Sequence, residues 1–409
     1  MVKCISCGIC DKRYFKILLA IAFIYVFSFV IIFYLKYALD IDSPLLKLFL
    51  TYIGMLLCFI PELILKKISQ NTKNKEKSKI KKNKKINGLI EYIYTDLSNR
   101  IKFKDYIHIG FISLMLLLID FINIYIEKKD NFGDSQYYFT ELPFLLIISI
   151  FVYKNNFYRH QYLSIIIITL FGLLQYIIRT QYYYKFTSKF KDILIDFLLK
   201  IIIGLGEATF FAYIKGLMEY KYFSPYKICY IFGTINSILI IIIYFIISKF
   251  KCNEKSILCS VEYKNSFYFD NIYYVFSKYS IGMIISLFLL IICFGIIKLL
   301  FNIIINHYSV CHIFLFLQNS GIVSSIGFDI EKRKFIILQT IIIYFSNIIN
   351  IFFSLVFLEI IELNCCGLNI NLKKNIKKRL NDENILAGNE RLANSDLNQN
   401  DDDDDDDLD

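Results

Sequence analysis

The chain has 409 residues, of which 56% are hydrophobic and only 20% are charged, and its mean hydropathy is +0.51. A soluble domain is typically about a quarter charged and less than half apolar. The composition therefore excludes soluble globular, disordered and secreted disulfide-scaffold proteins. A membrane helix needs roughly 20 consecutive apolar residues, and the chain has apolar material for about ten.

Apolar runs recur along the chain, and each predicts a membrane-spanning helix. They lie at 14–35, 45–65, 106–126, 138–153, 160–178, 193–218, 228–248, 280–304, 308–326 and 335–359. The run at 138–153 is short enough to be a re-entrant or buried segment instead. Because the runs are apolar on all sides rather than alternating, barrel strands are not expected. The predicted fold class is an all-α membrane protein with about ten transmembrane helices.

The amino-terminal segment 1–13 contains the motif C-x2-C-x2-C, formed by Cys4, Cys7 and Cys10. A metal site would need a fourth ligand that is not visible nearby. Two interpretations stay open: S-acylation at the membrane surface and free thiols in a reducing cytosol. The apolar run that follows is about 22 residues long and has no small-x-small cleavage pattern after it, which favours a retained first helix over a signal peptide.

A basic segment separates the second and third apolar runs. Residues 66–104 contain 13 lysines and arginines against three acids and are rich in Asn and Ser. Such a segment cannot bury enough apolar surface to fold, which predicts a solvated loop at a membrane surface. No aromatic side chains are interleaved with the lysines of its main basic run, 66–85, and it lies between two spans, so we expect no nucleic-acid partner.

The distribution of basic residues predicts the orientation of the spans, because positively charged loops stay in the cytosol. With ten spans, both termini and the 66–104 loop share one side, which carries 26 lysines and arginines against 15 opposite. We expect cytosolic termini and an extracytoplasmic loop at 249–279. Residues 360–409, which end in seven consecutive aspartates and one Leu-Asp pair, are predicted to be an acidic, disordered cytosolic tail. The sequence does not indicate which membrane holds the protein.

The two halves of the chain share an order of hydrophobic segments. Spans three to five and spans eight to ten both run as helix, apolar segment, short polar link and long apolar helix, with links YKNNFYRHQ and DIEKRK. This similarity is one of hydropathy and not of residue identity. It favours a 5+5 repeat with halves at 14–178 and 193–359. Because five is odd, the two halves would have inverted topology, as in carriers with one central site.

At these residues the sequence resembles the drug/metabolite transporter superfamily, which includes EamA-type exporters and nucleotide-sugar and sugar-phosphate carriers. The segment LPFLLIISIFVYKNNFYRHQYLSIIIITLFG is similar to the family's fourth helix, short link and fifth helix, with Gly172 closing the fifth span. The segment PLLKLFLTYIGMLLCFIPELI is similar to the second helix of some eukaryotic members. The family's usual proline in the ninth span has no counterpart between Ser309 and Ile326, and VYKNN replaces the Leu-Gly-Glu signature. The resemblance implies a ten-helix metabolite carrier.

Charged side chains cluster on the sixth span, 193–218. Asp196, Lys200, Glu207 and Lys215 fall within about 100° of one another around a helix, so they share one face. Charges at membrane depth are costly and usually face the bundle interior or a cavity. We predict Lys200 as a cation for an anionic solute and Glu207 as a group for a proton or polar solute. The alternative is a stripe of mutually satisfied charges that joins this helix to its neighbours. Asp196 and Lys215, near the ends of the span, are expected to snorkel.

Neutral polar side chains mark the last two spans. Such groups can bind a hydroxylated solute or hydrogen-bond between helices, and both interpretations stay open. The predicted substrate-binding residues here are Gln318 and Asn319, beside Ser320, Ser324 and Ser325, and Asn347 and Asn350, which share a face with Ser354. Weaker candidates are Lys298, which is expected to snorkel, Asp120 and Asn123 near a span end, and Asn236 and Ser237.

The other cysteines divide by location. Cys252 and Cys259 fall in the 249–279 loop, where an oxidising lumen would permit a disulfide. Cys365 and Cys366 follow the last span and admit the same two interpretations as the amino-terminal motif, S-acylation or free thiols. Four cysteines within the spans are predicted to be buried apolar fillers: Cys58, Cys229, Cys293 and Cys311.

Enzyme motifs are scarce in the sequence. His307 and His312 are five residues apart, which does not match the metalloprotease pattern, and we predict no catalytic residues, metal or cofactor. The expected function is secondary transport of a small polar or anionic solute, of the sugar-nucleotide, sugar-phosphate or metabolite class, by alternating access. The alternative is a non-transporting scaffold or tether that uses the basic loop and acidic tail to recruit partners. The expected partners are the lipid bilayer and the solute, and a homodimer is left open.

Overall fold

The computed structural model describes residues 12–39, 41, 43–76, 103–130, 138–154, 157–184, 190–221, 223–252, 259, 261–307, 310–312, 337–359 and 361. The helices there are α1 (Lys12–Ala38), α2 (Pro44–Leu57), α3 (Phe59–Glu76), α4 (Phe103–Asp130), α5 (Tyr138–Phe151), α6 (Arg159–Tyr184), α7 (Phe190–Tyr220), α8 (Pro225–Ile247), α9 (Ile272–Ser277), α10 (Ile281–His307) and α11 (Ile337–Phe357). Strands β1 (Val261–Tyr263) and β2 (Ser266–Tyr268) form an antiparallel hairpin between α8 and α9.

Within the described ranges, seven helical segments are long and apolar enough to cross a bilayer. They are Leu19–Ala38, Pro44–Ile68, Lys104–Ile126, Arg159–Ile178, Leu194–Tyr220, Pro225–Ile247 and Ile281–His307, and two shorter apolar helices lie at Phe139–Phe151 and Ile341–Phe357. Their outer faces carry exposed aromatic and aliphatic side chains, such as Phe23 at 74% and Phe111 at 62% exposure. A soluble protein rarely exposes so much contiguous apolar surface, whereas lipid accommodates it. The chain is therefore an integral multi-pass membrane protein.

Nine of the ten predicted apolar runs coincide with helices. The second run, predicted as one span over 45–65, is divided into α2 and α3 by a turn at Cys58, whose N–H donates to the carbonyl oxygen of Met55 at 3.1 Å. The short run at 138–153 is the 14-residue helix α5. The remaining run, 308–326, lies outside the described residues apart from 310–312.

Two of the central helices begin in the same way. Ser43 caps α2 by accepting a hydrogen bond from the N–H of Leu46 at 3.2 Å, and Ser224 caps α8 by accepting one from the N–H of Lys227 at 3.0 Å. A proline occupies the first helical turn in both. Serine at the cap satisfies a free N–H group, and the following proline has the backbone angle that the first turn needs.

Helix α2 lies at the centre of the packing. It packs against both α8 and α10. The other extensive helix contacts are α6 with α11, α5 with α7 and α6, α1 with α10, α4 with α7 and α8, and α10 with α7 and α8. Gly54 of α2 lies directly against α10, because a Cβ added there would meet the carbonyl oxygen of Ile291 at 2.4 Å and the nitrogen of Gly295 at 2.6 Å. Small residues permit such close approach of helices in membranes.

The region between α8 and α10 forms a folded cap that the sequence did not predict. The hairpin turns at Lys264 and Asn265, whose φ angles of 50° and 60° match a tight two-residue turn, and a disulfide joins Cys252 to Cys259. We call the end of the bundle that carries this cap the hairpin end. The sequence signal was the alternating run VEYKNSFY, which is short enough to be overlooked beside long apolar runs.

Asp270 fastens the cap to the bundle. Its Oδ2 accepts hydrogen bonds from the Ser43 hydroxyl at 2.9 Å and the Leu45 N–H at 3.0 Å, while its Oδ1 accepts one from the Tyr244 hydroxyl at 3.2 Å. Burial raises the pKa of Asp270, and nearby Lys128 together with these hydrogen bonds partly opposes that effect. The start of α2 and the last turn of α8 are thereby tied together at the hairpin end.

Candidate functional site

Glu207 lies at the middle of the bundle, 13 residues from each end of the apolar segment Leu194–Tyr220. Two glycines just before it let other helices approach α7. A Cβ on Gly204 would lie 2.2 Å from Oγ1 of Thr140, and one on Gly206 would lie 2.3 Å from Cδ1 of Ile119. The first contact brings α5, and with it Glu141, next to α7.

Glu141 is fully buried, and neither of its carboxyl oxygens has a partner that meets the geometry of a hydrogen bond. Its carboxyl nevertheless interacts with two ionisable groups, the like-charged carboxyl of Glu207 and the ammonium of Lys298 on α10. Glu141 and Glu207 are therefore neighbouring carboxyls without a well-formed hydrogen bond between them.

Two further side chains join this group from α2 and α4. Tyr52 is 2% exposed. Its hydroxyl donates a hydrogen bond to Oδ2 of Asp120, and Tyr52 also interacts electrostatically with Glu207. Five helices, α2, α4, α5, α7 and α10, thus contribute to one set of polar side chains. We call this set the central cluster: Tyr52, Asp120, Glu141, Glu207 and Lys298.

Helix α8 adds an amide at the same level. The backbone of Gly233 lies against Met55 and Leu56 of α2. The two helices run antiparallel, since Ser43 at the start of α2 contacts Tyr244, and Glu62 of α3, which follows α2, contacts Ser224. Asn236, almost one turn beyond Gly233, therefore lies level with Tyr52. Asn236 is fully buried and neither atom of its amide has a hydrogen-bond partner.

Lys200, a predicted solute ligand, is already paired. Its Nζ lies 2.8 Å from Oδ2 of Asp196 and 4.5 Å from the ring centroid of Tyr176, whose hydroxyl donates to the same carboxylate oxygen at 3.0 Å. Both charged side chains are at most 2% exposed. The expectation that Asp196 snorkels is wrong, because it is buried. The structure separates Lys200 from Glu207: the first has a counter-ion, and the second belongs to the central cluster.

Lys215, the other residue expected to snorkel, is buried near the opposite end of α7. Its Nζ donates to the carbonyl oxygen of Ile305 at 2.8 Å and lies 3.0 Å from Oε1 of Glu219. It therefore joins α7 to the last turn of α10. This contact fits the interhelical pairing that the sequence left open as an alternative.

The predicted amide sites on the last two spans lie elsewhere. Oδ1 of Asn347 accepts a hydrogen bond from Nε2 of Gln175 on α6 at 2.8 Å, and its Nδ2 takes no part in this contact. Asn350 is fully buried, and neither atom of its side-chain amide has a hydrogen-bond partner. Its backbone carbonyl accepts a hydrogen bond from the Ser354 hydroxyl at 2.7 Å. Asn347 therefore joins α11 to α6 and not to the central cluster. Gln318 and Asn319 fall outside the described residues.

The cysteines within the spans are buried and free, as predicted: Cys58, Cys229, Cys293 and Cys311. Nδ2 of Asn302 lies 2.9 Å from Sγ of Cys229 and joins α10 to α8. The candidate acylation residues Cys4, Cys7, Cys10, Cys365 and Cys366 lie outside the described part of the chain. Over the described ranges, no group of three or more His, Cys, Asp or Glu side chains is arranged to hold a metal ion.

Sequence reasoning missed Glu141 and misjudged Lys298 and Asp120. Lys298 was expected to snorkel, but it is half-buried and interacts with Glu141 and Cys229. Asp120 was set aside as lying near a span end, but it accepts the Tyr52 hydrogen bond. A usable signal existed for two of them, since Glu141 is the only acid in the run YFTELPFLLIISIF and Lys298 is the only lysine in α10.

The sequence was also compared with known proteins. No protein-family model matches the chain, and no curated protein matches it significantly. Fold and site therefore define its class: an integral multi-pass membrane protein whose helices enclose a set of ionisable side chains.

Proposed function

We propose that the chain is a secondary carrier that moves a small polar solute across a membrane by alternating access, and that the central cluster binds the solute. One observation carries this proposal: four ionisable side chains from four helices, joined by Tyr52 from a fifth, meet inside a bundle whose outer surface is apolar. Ionisable groups at membrane depth are costly and mark substrate or ion pathways. The proposal retains ten spans, cytosolic termini and the drug/metabolite transporter resemblance.

The pattern of helix packing supports an inverted 5+5 repeat. Such a repeat would exchange α1 with α7, α2 and α3 with α8, α4 with α10, and α6 with α11. Under this exchange, two contacts map onto themselves: α2 with α8, and α6 with α11. The contact of α2 with α10 becomes that of α8 with α4. The contact of α1 with α10 becomes that of α7 with α4. All of these pairs are in contact. Two contacts break the pattern: α7 with α10 has no equally extensive counterpart between α1 and α4, and α8 with α10 has none between α2 and α4.

The ends of two exchanged helices support the same arrangement. Helices α2 and α8 both start with a Ser-Pro cap, and each places a glycine, Gly54 or Gly233, against the backbone of a neighbouring helix. The first cap lies at the hairpin end and the second at the opposite end. Equivalent features that point in opposite directions are what an inverted repeat requires.

Access of water-soluble reagents to the central cluster tests the proposal without knowledge of the solute. We expect a cysteine in the variant Glu207→Cys to react with a charged methanethiosulfonate reagent in membrane vesicles, because a solute route must be wet. The matched control is Leu205→Cys, two residues away. Leu205 is 45% exposed on the outer surface of α7, where lipid would suppress thiolate formation, so this control should stay unreactive.

A Glu207→Cys variant that folds but remains unreactive from both membrane faces would contradict the carrier and favour the scaffold alternative. The sequence left polar and anionic solutes open. A screen of such solutes by thermal stabilisation of the purified protein would identify the ligand, since a ligand that binds only the folded state raises its apparent stability. Glu207→Gln should abolish the stabilisation, and Glu219→Gln on the same helix should preserve it.

A further inference from the structure

Glu141 lacks the donors that a buried carboxylate needs. Its side chain is fully buried, and neither of its oxygens has a hydrogen-bond partner. Asp196, on the adjacent helix α7, shows what an ionised carboxylate receives in this bundle: the Lys200 ammonium at 2.8 Å and the Tyr176 hydroxyl at 3.0 Å. Transfer of a carboxylate out of water without such donors is far more costly than transfer of the neutral acid. This packing therefore holds Glu141 in its protonated form.

The ionisable groups that act on Glu141 do not supply the missing donor. Glu207 acts on it from α7 and would repel a carboxylate if it were ionised, and Lys298 acts on it from α10 without forming a hydrogen bond. On α6, the other helix packed extensively against α5, Tyr176 donates its hydroxyl to Asp196. The protonated form of Glu141 is therefore favoured whether Glu207 is ionised or neutral.

Other titratable groups beside α5, in the part of the chain that the structure describes, lie at different positions. Lys200 meets α5 through its backbone, whose carbonyl oxygen accepts a hydrogen bond from the Thr140 hydroxyl at 3.2 Å, while its ammonium is paired on α7. Cys311, with His312 beside it in sequence, contacts Ser149. That contact is eight residues further along α5 than the buried carboxyl, which is about 12 Å on a helix.

Entry of water or solute into the central cluster changes the preferred state of Glu141. Hydrogen bonds from O–H or N–H groups stabilise a carboxylate, and the Lys298 ammonium then favours it further. Opening of the cluster to one membrane face therefore releases the proton to that face. The carboxyl O–H bond breaks, its electron pair stays on the carboxylate, and the proton passes to water.

We propose that Glu141 is the proton-binding residue of the carrier and that the carrier exchanges its solute for a proton. The cluster can close around Glu141 in two ways: with a proton on the carboxyl, or with a solute whose N–H or O–H groups replace the missing donors. Each passage then carries one or the other, so a proton gradient drives solute movement. The proposal rests on the proposed carrier function and adds its coupling ion.

Infrared spectroscopy of the purified full-length protein tests for the proton directly. We expect the spectrum at neutral pH to contain a carbonyl band from a protonated carboxyl, and Glu141→Gln should remove a component of it. Glu219→Gln is the matched control, because Glu219 is paired with Lys215 at 3.0 Å and is partly exposed. It should leave this band unchanged. A band that Glu141→Gln does not alter would overturn the proposal.

A cysteine in the variant Asn236→Cys tests whether opening of the cluster releases the proton. We expect its rate with a charged methanethiosulfonate reagent, relative to that of free 2-mercaptoethanol at the same pH, to rise with pH. The rise should be up to about tenfold per pH unit, since the open state binds one proton fewer. Glu141→Gln should abolish the rise, because a glutamine has no proton to release, and Glu219→Gln should preserve it. Titration of the reporter cysteine itself is common to all these backgrounds.

The outcomes separate the proton from the carrier. A pH dependence that survives Glu141→Gln would assign the proton to another group, such as Asp270 or His160, and would overturn the proposal while the carrier stands. Reaction at a rate that does not change with pH would do the same. Ser237→Cys is the reporter if Asn236→Cys does not fold. If the reagent reacts with neither folded variant at any pH, both the proton coupling and the carrier fail.

Discussion

At the residue scale, two buried carboxyls on neighbouring helices have opposite environments. Asp196 has a lysine counter-ion and a tyrosine hydroxyl donor, whereas Glu141 has a second carboxyl beside it and no well-formed hydrogen bond. A buried ion pair is satisfied only when both partners are present. Asp196 and Lys200 therefore satisfy each other, whereas both carboxyl oxygens of Glu141 lack a hydrogen-bond partner.

The Asp196–Lys200 pair predicts a non-additive change in stability. Asp196→Leu alone leaves the Lys200 ammonium buried without its counter-ion and should lower the free energy of unfolding by about 3 to 5 kcal/mol. Adding Lys200→Met should recover much of that loss, because no buried charge remains. Thermal unfolding of the purified single and double variants measures this. Equal instability of both, or normal stability of the single variant, would show that the pair is not a structural unit.

At the element scale, glycines decide how closely helices meet. Gly54 and Gly295 place α2 and α10 in backbone contact, and Gly204 brings α5 against α7. Each contact adjoins a helix that supplies a cluster residue, namely Tyr52, Lys298, Glu141 or Glu207. Because ionic interactions fall off with distance, the cluster depends on these close approaches.

The contact between α2 and α10 predicts that Gly54→Ala is destabilising. The added methyl group would lie 2.4 Å from a backbone carbonyl oxygen, and backbone cannot rotate away as a side chain can. We expect a loss of about 1 to 3 kcal/mol, typical of overpacking, measured by thermal unfolding. Gly110→Ala is the matched control, since nothing lies within 4 Å of a Cβ there. It should be neutral or stabilising by up to about 1 kcal/mol, from higher helix propensity.

At the scale of the whole molecule, the two ends of the bundle are fastened by different means. The hairpin end has a disulfide-linked cap held by Asp270. At the opposite end the described contacts are between side chains: Lys221 forms an ion pair with Asp105 at 3.2 Å, and the imidazole of His160 lies 3.4 Å from Glu359. Proposed alternating access would require the contacts at each end to release in turn.

The number of spans predicts which face exposes the link DIEKRK. If residues 308–326 cross the membrane, Lys332→Cys should be labelled by a membrane-impermeant maleimide from the same face as Tyr279→Cys, at the hairpin end. Tyr220→Cys marks the other face. Tyr279 and Tyr220 are 71% and 67% exposed, so both markers should react. Labelling of Lys332→Cys from the Tyr220 face would mean that this segment turns back, and the 5+5 arrangement would be wrong.

The sequence by itself determined the class of the protein and the position of nearly every helix. Apolar runs of spanning length fix both, because a chain in lipid must satisfy its backbone hydrogen bonds within each segment. Sequence also placed Glu207 on a charged face of its helix, since a 100° rotation per residue depends on nothing distant.

Only the tertiary structure decided which polar groups meet. It joined Asn347 to Gln175, and it brought Glu207 and Lys298 to Glu141. Hydropathy gives the depth of a charge and periodicity gives its face. Neither tells whether that face meets lipid, a counter-ion or another carboxyl, because those neighbours come from helices distant in sequence and are selected by close backbone packing.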